Sequence, residues 1–342
     1  MSLLVFTLPA WIDGAPSLRL EREPFRGLPF YTIYHYEDLD SELMGGYLYE
    51  DRFGQIIMIG EGHIERFDGR VWTAVQAGSE QIVDSVLRIV GRPPDLYSGA
   101  VGAWGKVILG SDGKYEFVSL VEGQEANQVS AVNFENIHVL DDGAIFWGER
   151  GLVHYTPGRG AKVWTHIQEP LEIFEENGRL YVTSMDDGIF VLDARELALV
   201  PGSSDYVNAR AICGSARMGE QLILASREHG LFRFEDERPV PLSTPVDHLL
   251  REGIGVIEPL RDDHLAITIS GQGLVVLNKD MEVEMLIDRT QDTVFSSIKD
   301  LHYTDEGILW ATTHAGLLKL MFPSPLSIFD HRSGIGMQWP KA

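Results

Sequence analysis

The most informative segment for the fold is Asp305-Glu306-Gly307-Ile308-Leu309-Trp310-Ala311-Thr312-Thr313-His314-Ala315-Gly316-Leu317-Leu318-Lys319-Leu320. An acidic, glycine-containing turn precedes a short apolar strand, and a polar link then leads through Gly316 into a second apolar strand. Short runs rich in branched and aromatic residues, bounded by Gly and Asp, are typical of β-strands joined by tight turns. This stretch therefore predicts a β-hairpin.

The same pattern occurs seven times along the chain. The positions equivalent to Gly316 are spaced by 42, 46, 37, 42, 43 and 43 residues, and they are His63, Gly105, Gly151, Gly188, Gly230, Gly273 and Gly316. A period of about 40–50 residues with four strands in each unit is characteristic of a β-propeller. One blade cannot bury both of its faces alone, so neighbouring blades must stack until the ring closes. We predict an all-β, seven-bladed β-propeller that forms a single domain over residues 1–342, with its repeats over roughly residues 28–335.

Three segments lie outside the clearest part of the repeat. Residues 30–36 read as a strand that would supply the outer strand of the last blade and so close the ring. Residues 325–330 compete for that position or add a further edge strand. Residues 79–90 read either as a short helix or as the outer strand of the first blade. We expect the glycines at the links to adopt the positive φ that tight hairpins need.

Charge and cysteine content narrow the range of partners. The chain carries 28 basic and 51 acidic residues, a formal net charge of −23, which opposes binding to nucleic acid or to an anionic membrane.

Cys213 is the single cysteine, so an internal disulfide and a cysteine-rich metal site are excluded. Its apolar neighbours predict that it fills space in the core. No run of 18 apolar residues is present, so membrane contact is expected only through a segment absent from this chain.

The repeats resemble the two-component-regulator propeller repeat, whose core reads approximately D-G-x-L-W-I-G-T-x-x-G-L-x-R-F. Residues 305–320 match this core most clearly, and residues 142–155 and 221–234 match it closely. The resemblance implies the periplasmic or extracellular input region of a bacterial sensor histidine kinase or GGDEF-type diguanylate cyclase, of which this chain would be a fragment. Because the repeat marks blade structure and not ligand contacts, it assigns no binding residue.

A coarse location for a binding site follows from the repeat. The links between the second and third strands of the blades are expected to lie around the mouth of the central channel. The polar residues of these links, which we take as rim candidates, are Glu61, Glu149, Arg150, Asp186, Asp187, Arg227, Glu228, His229, Gln272, Thr313 and His314. Carboxylates, guanidinium groups, an amide and imidazoles can together hydrogen-bond a polyol. The expected partner is a small-molecule ligand, a carbohydrate among the options, or another protein; homodimerisation stays open.

The sequence offers no catalytic residue, metal ligand or cofactor site that we would assign. His63 and His314 fall on blades that are neighbours in a closed ring, but exposed loop histidines are far commoner than metal pairs. The acid pairs at 186–187 and 262–263 would suit a glycosidase only if two carboxyl groups faced each other across a substrate. Turn chemistry explains such pairs more simply. We expect Trp147 and Trp310, at matching strand positions, to pack between blades.

Three functional hypotheses follow. The first is a non-catalytic, ligand-sensing or protein-interaction propeller of a bacterial membrane receptor. The second is a propeller enzyme, such as a metal-dependent lactonase or a lyase, which would need several polar ligands converging at the channel. The third is a stand-alone scaffold.

Overall fold

The structure is a computed structural model and describes residues 28–36, 46–51, 53–60, 63–74, 86–92, 95–110, 115–121, 133–149, 151–165, 167, 169–193, 196–205, 211–324 and 327–328. Within these ranges the chain forms seven four-stranded antiparallel sheets and one two-stranded sheet. The sheets are the blades of a seven-bladed β-propeller, which confirms the predicted fold.

The strands follow one another in chain order through the blades. Before the first blade come β1 (Leu28–Pro29) and β2 (Tyr31–His35). Blades one to three contain β3 (Tyr47–Glu50), β4 (Ile56–Gly60), β5 (His63–Phe67) and β6 (Trp72–Ala74); β7 (Val86–Arg92), β8 (Asp95–Ala100), β9 (Ala103–Leu109) and β10 (Tyr115–Ser119); and β11 (Asn136–Leu140), β12 (Gly143–Gly148), β13 (Gly151–Thr156) and β14 (Gly160–Trp164).

The remaining blades repeat the same up-and-down order. Blades four to six contain β15 (Pro170–Glu176), β16 (Arg179–Ser184), β17 (Gly188–Asp193) and β18 (Glu196–Leu199); β19 (Ile212–Met218), β20 (Gln221–Ser226), β21 (Gly230–Glu235) and β22 (Arg238–Pro241); and β23 (Ile254–Leu260), β24 (His264–Ile269), β25 (Gly273–Leu277) and β26 (Val283–Asp288). Blade seven contains β27 (Asp300–Tyr303), β28 (Ile308–Thr312) and β29 (Gly316–Met321), and β30 (Ser327–Ile328) follows it. The described helical turns are α1 (Asp247–Leu250) and the 3₁₀ segments Ser203–Asp205 and Thr293–Ser297.

The N-terminal strand closes the ring. Strand β2 pairs antiparallel with β29 from Tyr31 opposite Leu320 to His35 opposite Gly316, so it is the outermost strand of the last blade. The prediction for residues 30–36 is confirmed. The described part of residues 325–330 does not compete for that position, because β30 pairs instead with β1 in the separate two-stranded sheet.

The core is divided among the interfaces between blades. The described buried side chains form seven apolar clusters, and each cluster joins a different pair of neighbouring blades, including the last and the first. Trp310 packs edge-on against Phe67 of the first blade with ring centroids 5.8 Å apart. Trp147 packs against the fourth blade and donates its indole N–H to the carbonyl of Leu171. Both tryptophans therefore pack between blades, as predicted.

Two sequence interpretations were wrong. Residues 86–90 belong neither to a helix nor to the first blade; they lie in β7, the innermost strand of the second blade, where Ile89 is buried against the first blade. Residues 79–85 lie outside the described ranges.

Gly105 is not a link residue, because β9 begins two positions earlier at Ala103. A side chain at Gly105 would place its Cβ 2.3 Å from the carbonyl oxygen of Val118, so close strand approach, not turn geometry, requires this glycine.

A substitution at Gly316 tests the ring closure. A Cβ at this position would lie 2.1 Å from the carbonyl oxygen of Tyr34 in the closing strand β2. We expect Gly316→Val to push the closing strand away and lower the free energy of unfolding by about 2–4 kcal/mol. Urea denaturation measures this loss, with Ala315→Val at the exposed neighbouring position as the control. An unchanged free energy for Gly316→Val would contradict the closure described here.

Candidate functional site

The innermost strands surround the axis of the propeller. They are β3, β7, β11, β15, β19, β23 and β27. In an up-and-down blade, the innermost strand begins at the same end as the turn between the second and third strands. The predicted rim and the first residues of these seven strands therefore share one face of the ring. The innermost strands enclose the central channel below that rim.

The rim candidates divide by exposure. The exposed side chains on the links are Glu149, Asp186, Arg227, Glu228, His229 and His314. Asp187 and Gln272 are half-buried, and Thr313 is fully buried, where its hydroxyl donates to the carbonyl of Gly316 and caps the turn. Glu61, Arg150 and the side chain of His63 lie outside the described residues. A shared ligand-binding role for the rim remains a prediction.

Turn chemistry accounts for both acid pairs. The hydroxyl of Ser184 donates to Asp187 at 3.2 Å across the link of blade four. Asp262 and Asp263 both have φ of 56° and form the tight turn between β23 and β24, at the opposite end of the blade from the rim. The two pairs therefore do not face each other across a channel.

Three carboxyl groups point from the innermost strands to the next blade around the ring. Each accepts a hydrogen bond from the innermost strand of that neighbour, and the three contacts are Ser215 Oγ to Glu172 Oε1 at 2.7 Å, Tyr303 N to Glu258 Oε1 at 2.9 Å and Leu48 N to Asp300 Oδ2 at 2.7 Å. They join blades four to five, six to seven and seven to one. We call Glu172, Glu258 and Asp300 the channel carboxyls.

Burial shifts all three channel carboxyls toward their neutral forms. Desolvation raises the pKa of Glu172 to about 7 and that of Glu258 to about 8, and it raises the pKa of Asp300 from its ordinary value. The hydrogen bonds that they accept and the positive charge of Arg88 act in the opposite direction and only partly offset the burial. Near neutral pH, Glu258 is therefore mainly protonated and Glu172 is partly protonated.

Arg88, on β7, supplies a positive charge to this channel. Its guanidinium lies over the ring of Tyr47 at 4.9 Å and acts electrostatically on each of the channel carboxyls. It makes no hydrogen bond or ion pair with any residue that the structure describes. A guanidinium carries five N–H donors, so this side chain can bind an acceptor from outside the described protein.

Burial also favours the neutral forms of two further side chains on the innermost strands, Tyr47 and His138. Burial raises the pKa of the Tyr47 hydroxyl and lowers the pKa of the His138 imidazole. The Cys213 thiol is only partly buried and lies beside Glu172, which corrects the expectation that it merely fills the core. Burial raises its pKa to about 11, so the unreactive thiol predominates near neutral pH.

The channel residues were not identified from the sequence, because the recognisable repeat covers the second and third strands of each blade and not the innermost strand. The innermost strands are less regular, and those of blades two, four, five and six contain a β-bulge or another register shift that disrupts simple alternation. A usable signal was present: Arg88, Glu172 and Glu258 each lie directly between two apolar residues of an innermost strand. A charged side chain at such a position must either stay in contact with solvent or be paired with a hydrogen-bonding or oppositely charged group.

Comparison with known proteins supports the fold. No protein-family model and no curated protein sequence matches the chain. The extracellular domain of a protein described as a hybrid two-component system from B. thetaiotaomicron superposes with a TM-score of 0.64 at 13% identity, covering 85% of this chain and 42% of that one. The extracellular domain of a one-component system from the same organism gives 0.63 at 13% identity, covering 85% and 39%.

A propeller enzyme is similar to a comparable degree. Virginiamycin B lyase from Staphylococcus aureus superposes with a TM-score of 0.62 at 10% identity, covering 86% of this chain and 99% of the lyase. The chain spans less than half the length of these two extracellular domains. At such identities the likeness shows the fold alone. No helix among the described residues has the length and apolar character needed to cross a membrane.

The raised pKa values predict how stability depends on pH. Glu172 and Glu258 have folded pKa values of about 7 and about 8, above the ordinary value of 4.5, so the folded state binds more protons than the unfolded state between these limits. Their contribution to stability is therefore greatest below about pH 4.5. It falls until about pH 7 for Glu172 and until about pH 8 for Glu258, by up to about 1.4 kcal/mol per pH unit for each group.

Glutamine variants test this dependence. Glu258→Gln keeps an acceptor for the Tyr303 amide but removes the titration, so we expect a smaller loss of unfolding free energy between pH 5 and pH 8. Urea denaturation over a pH series measures the slope, and Glu252→Gln, at an exposed position in the turn that precedes the same blade, is the matched control. Equal slopes for Glu258→Gln and the unmodified chain would show that Glu258 titrates normally.

Proposed function

We propose that this chain is the ligand-recognition propeller of an extracytoplasmic bacterial signalling receptor, is not itself catalytic, and binds its ligand in the central channel. The observation that carries the proposal is Arg88: a guanidinium with no described hydrogen-bond or ion-pair partner, set among three desolvated carboxyls. The structural likeness to extracellular domains of signalling proteins and the resemblance of the repeats support the same assignment.

The chemistry of the channel suits a small, polyhydroxylated ligand such as a carbohydrate. Arg88 offers donors to ligand oxygens, and Glu172 and Glu258, which hold protons near neutral pH, can both donate to and accept from hydroxyl groups. The ring of Tyr47 adds an apolar surface beside them. A strongly anionic ligand is disfavoured, because the net charge of −23 opposes it.

Ligand binding at the channel would act on the joints between blades. Glu258 and Asp300 accept backbone N–H groups of blades seven and one, so a ligand that hydrogen-bonds these carboxyls competes with those contacts. Both joints involve the last blade, whose outermost strand is β2 and which is followed by β30. A ligand that binds one arrangement of the last blade more tightly shifts the population toward it, and that shift is a signal to any attached segment.

The alternative function is a propeller enzyme. It is favoured by the pKa of Glu172, about 7, which suits a group that takes up and releases protons, and by a likeness that covers 99% of virginiamycin B lyase. In that case Glu172 would be the general base or acid. We favour ligand recognition over catalysis because Glu172 already accepts a hydrogen bond from the Ser215 hydroxyl and packs between two blades.

A ligand screen tests the proposal directly. Monosaccharides, amino sugars, amino acids and dicarboxylates are screened by thermal shift, and affinities of the hits are measured by calorimetry. We expect a polyhydroxylated hit whose affinity falls by about tenfold or more in Arg88→Ala, because hydrogen bonds from a charged donor are lost. Arg251→Ala, which removes an exposed arginine, is the control and is expected to leave the affinity unchanged.

The same hits separate recognition from catalysis. On the proposed function, the bound compound is recovered chemically unchanged, as shown by mass spectrometry after prolonged incubation. Turnover that disappears in Glu172→Gln while binding persists would establish the enzyme reading instead. Hits that bind Arg88→Ala and the unmodified chain equally would show that the channel is not the site.

A further inference from the structure

The guanidinium of Arg88 reaches toward the axis of the ring. Arg88 lies on β7 in the second blade, yet its charge acts on all three channel carboxyls, which belong to blades four, six and seven. Because these carboxyls come from different sides of the channel, a guanidinium that influences all of them must extend into the space between them. A ligand bound to Arg88 therefore lies close to groups from several blades at once.

Arg88 lacks a full counter-charge near neutral pH. Its side chain is half-buried and forms no ion pair with any residue that the structure describes. Desolvation raises the pKa of Glu172 and of Glu258, so these two carboxyls are partly or mainly protonated and neutralise the guanidinium incompletely. A positive charge that has lost part of its water and has no partner favours the binding of an anion.

Tyr47 places a second unused donor beside Arg88. The central carbon of the guanidinium lies 4.9 Å from the centroid of the Tyr47 ring, and the Tyr47 hydroxyl forms no hydrogen bond with a residue in the described part of the chain. Burial raises the pKa of this hydroxyl, so it keeps its proton near neutral pH. Two neighbouring side chains on blades one and two thus offer N–H and O–H groups to the same ligand.

The two glutamates of the channel also act mainly as donors. Each already accepts a hydrogen bond from the next blade, Glu172 from the Ser215 hydroxyl at 2.7 Å and Glu258 from the Tyr303 amide at 2.9 Å. When protonated, each has an O–H group left to donate. A carboxylate accepts hydrogen bonds and donates none, so it matches a site rich in donors better than a neutral group does.

We infer that the channel prefers a sugar acid, a polyhydroxylated ligand with one carboxylate such as a uronate, and that Arg88 binds this carboxylate through paired N–H groups. The inference rests on the proposed function and narrows its ligand class. Planar guanidinium and carboxylate groups match in geometry, and such charge-assisted pairs are stronger than neutral hydrogen bonds. The net charge of −23 opposes ligands with several negative charges, but repulsion of a single charge is screened beyond about 8 Å at physiological salt.

Matched pairs of acid and amide test this inference. The acids D-glucuronate and D-galacturonate are compared with their amides, which keep the hydroxyl groups and the shape but carry no charge. Calorimetry with the full chain at neutral pH and about 0.15 M salt measures the affinities. We expect at least one acid to bind about tenfold or more tightly than its amide. Arg88→Gln is expected to abolish this ratio, whereas Arg238→Gln, at an exposed position on β22, leaves it unchanged.

The outcomes separate this inference from the proposed function. An amide or a neutral sugar that binds at least as tightly as the acids, with an affinity that still depends on Arg88, overturns the preference for a carboxylate but leaves recognition in the channel intact. A preference for the acid that persists in Arg88→Gln also overturns the inference, because another group then binds the charge. Absence of binding by acids, amides and neutral sugars alike contradicts both the inference and the proposed function.

Discussion

Closure of the ring is the constraint on which the remainder of the structure depends. Each blade has two apolar faces that it can bury only between two neighbours, and the seven clusters of the core each lie at one such interface. The joint between the last and first blades is held by the cluster around Trp310 and Phe67, while the pairing of β2 with β29 completes the last blade. Without this joint, two blade faces would be exposed to water.

Closure of the ring also determines the protonation of the channel carboxyls. Seven innermost strands brought around one axis leave a narrow space in which a charged side chain loses most of its water. Glu172, Glu258 and Asp300 respond in the two ways available to a buried acid: their pKa values rise, and each accepts a hydrogen bond from the next blade. The same groups therefore join the blades, and Glu172 and Glu258 hold protons near neutral pH. In the function that we propose, the binding site and a structural joint coincide, so that occupancy of the site can alter the arrangement of the blades.

The fold could be predicted from the sequence because the hairpin formed by the second and third strands recurs at a nearly constant spacing along the chain. Trp147 and Trp310 were recognisable as interblade residues because they occupy matching positions in that hairpin. The channel residues were not readable, because bulged innermost strands such as β7 and β15 do not keep a simple alternation and their partners come from other blades. Nothing in the local sequence shows that Glu258 meets the Tyr303 amide 45 residues away. Likewise, Gly105 looks like a turn glycine in sequence, but its actual neighbour is the carbonyl of Val118.

The protonation state of the channel carboxyls is the most direct test of this account. Side-chain carboxyl carbons of glutamate are labelled with ¹³C, and their chemical shifts are followed from acid to alkaline pH, with Glu172→Gln and Glu258→Gln providing the assignments. The account predicts two glutamates that titrate near pH 7 and pH 8, each missing from the spectrum of its own variant. If every glutamate titrates near the ordinary value of 4.5, the channel is well hydrated, and its carboxyls neither hold protons at neutral pH nor couple occupancy to the joints between blades.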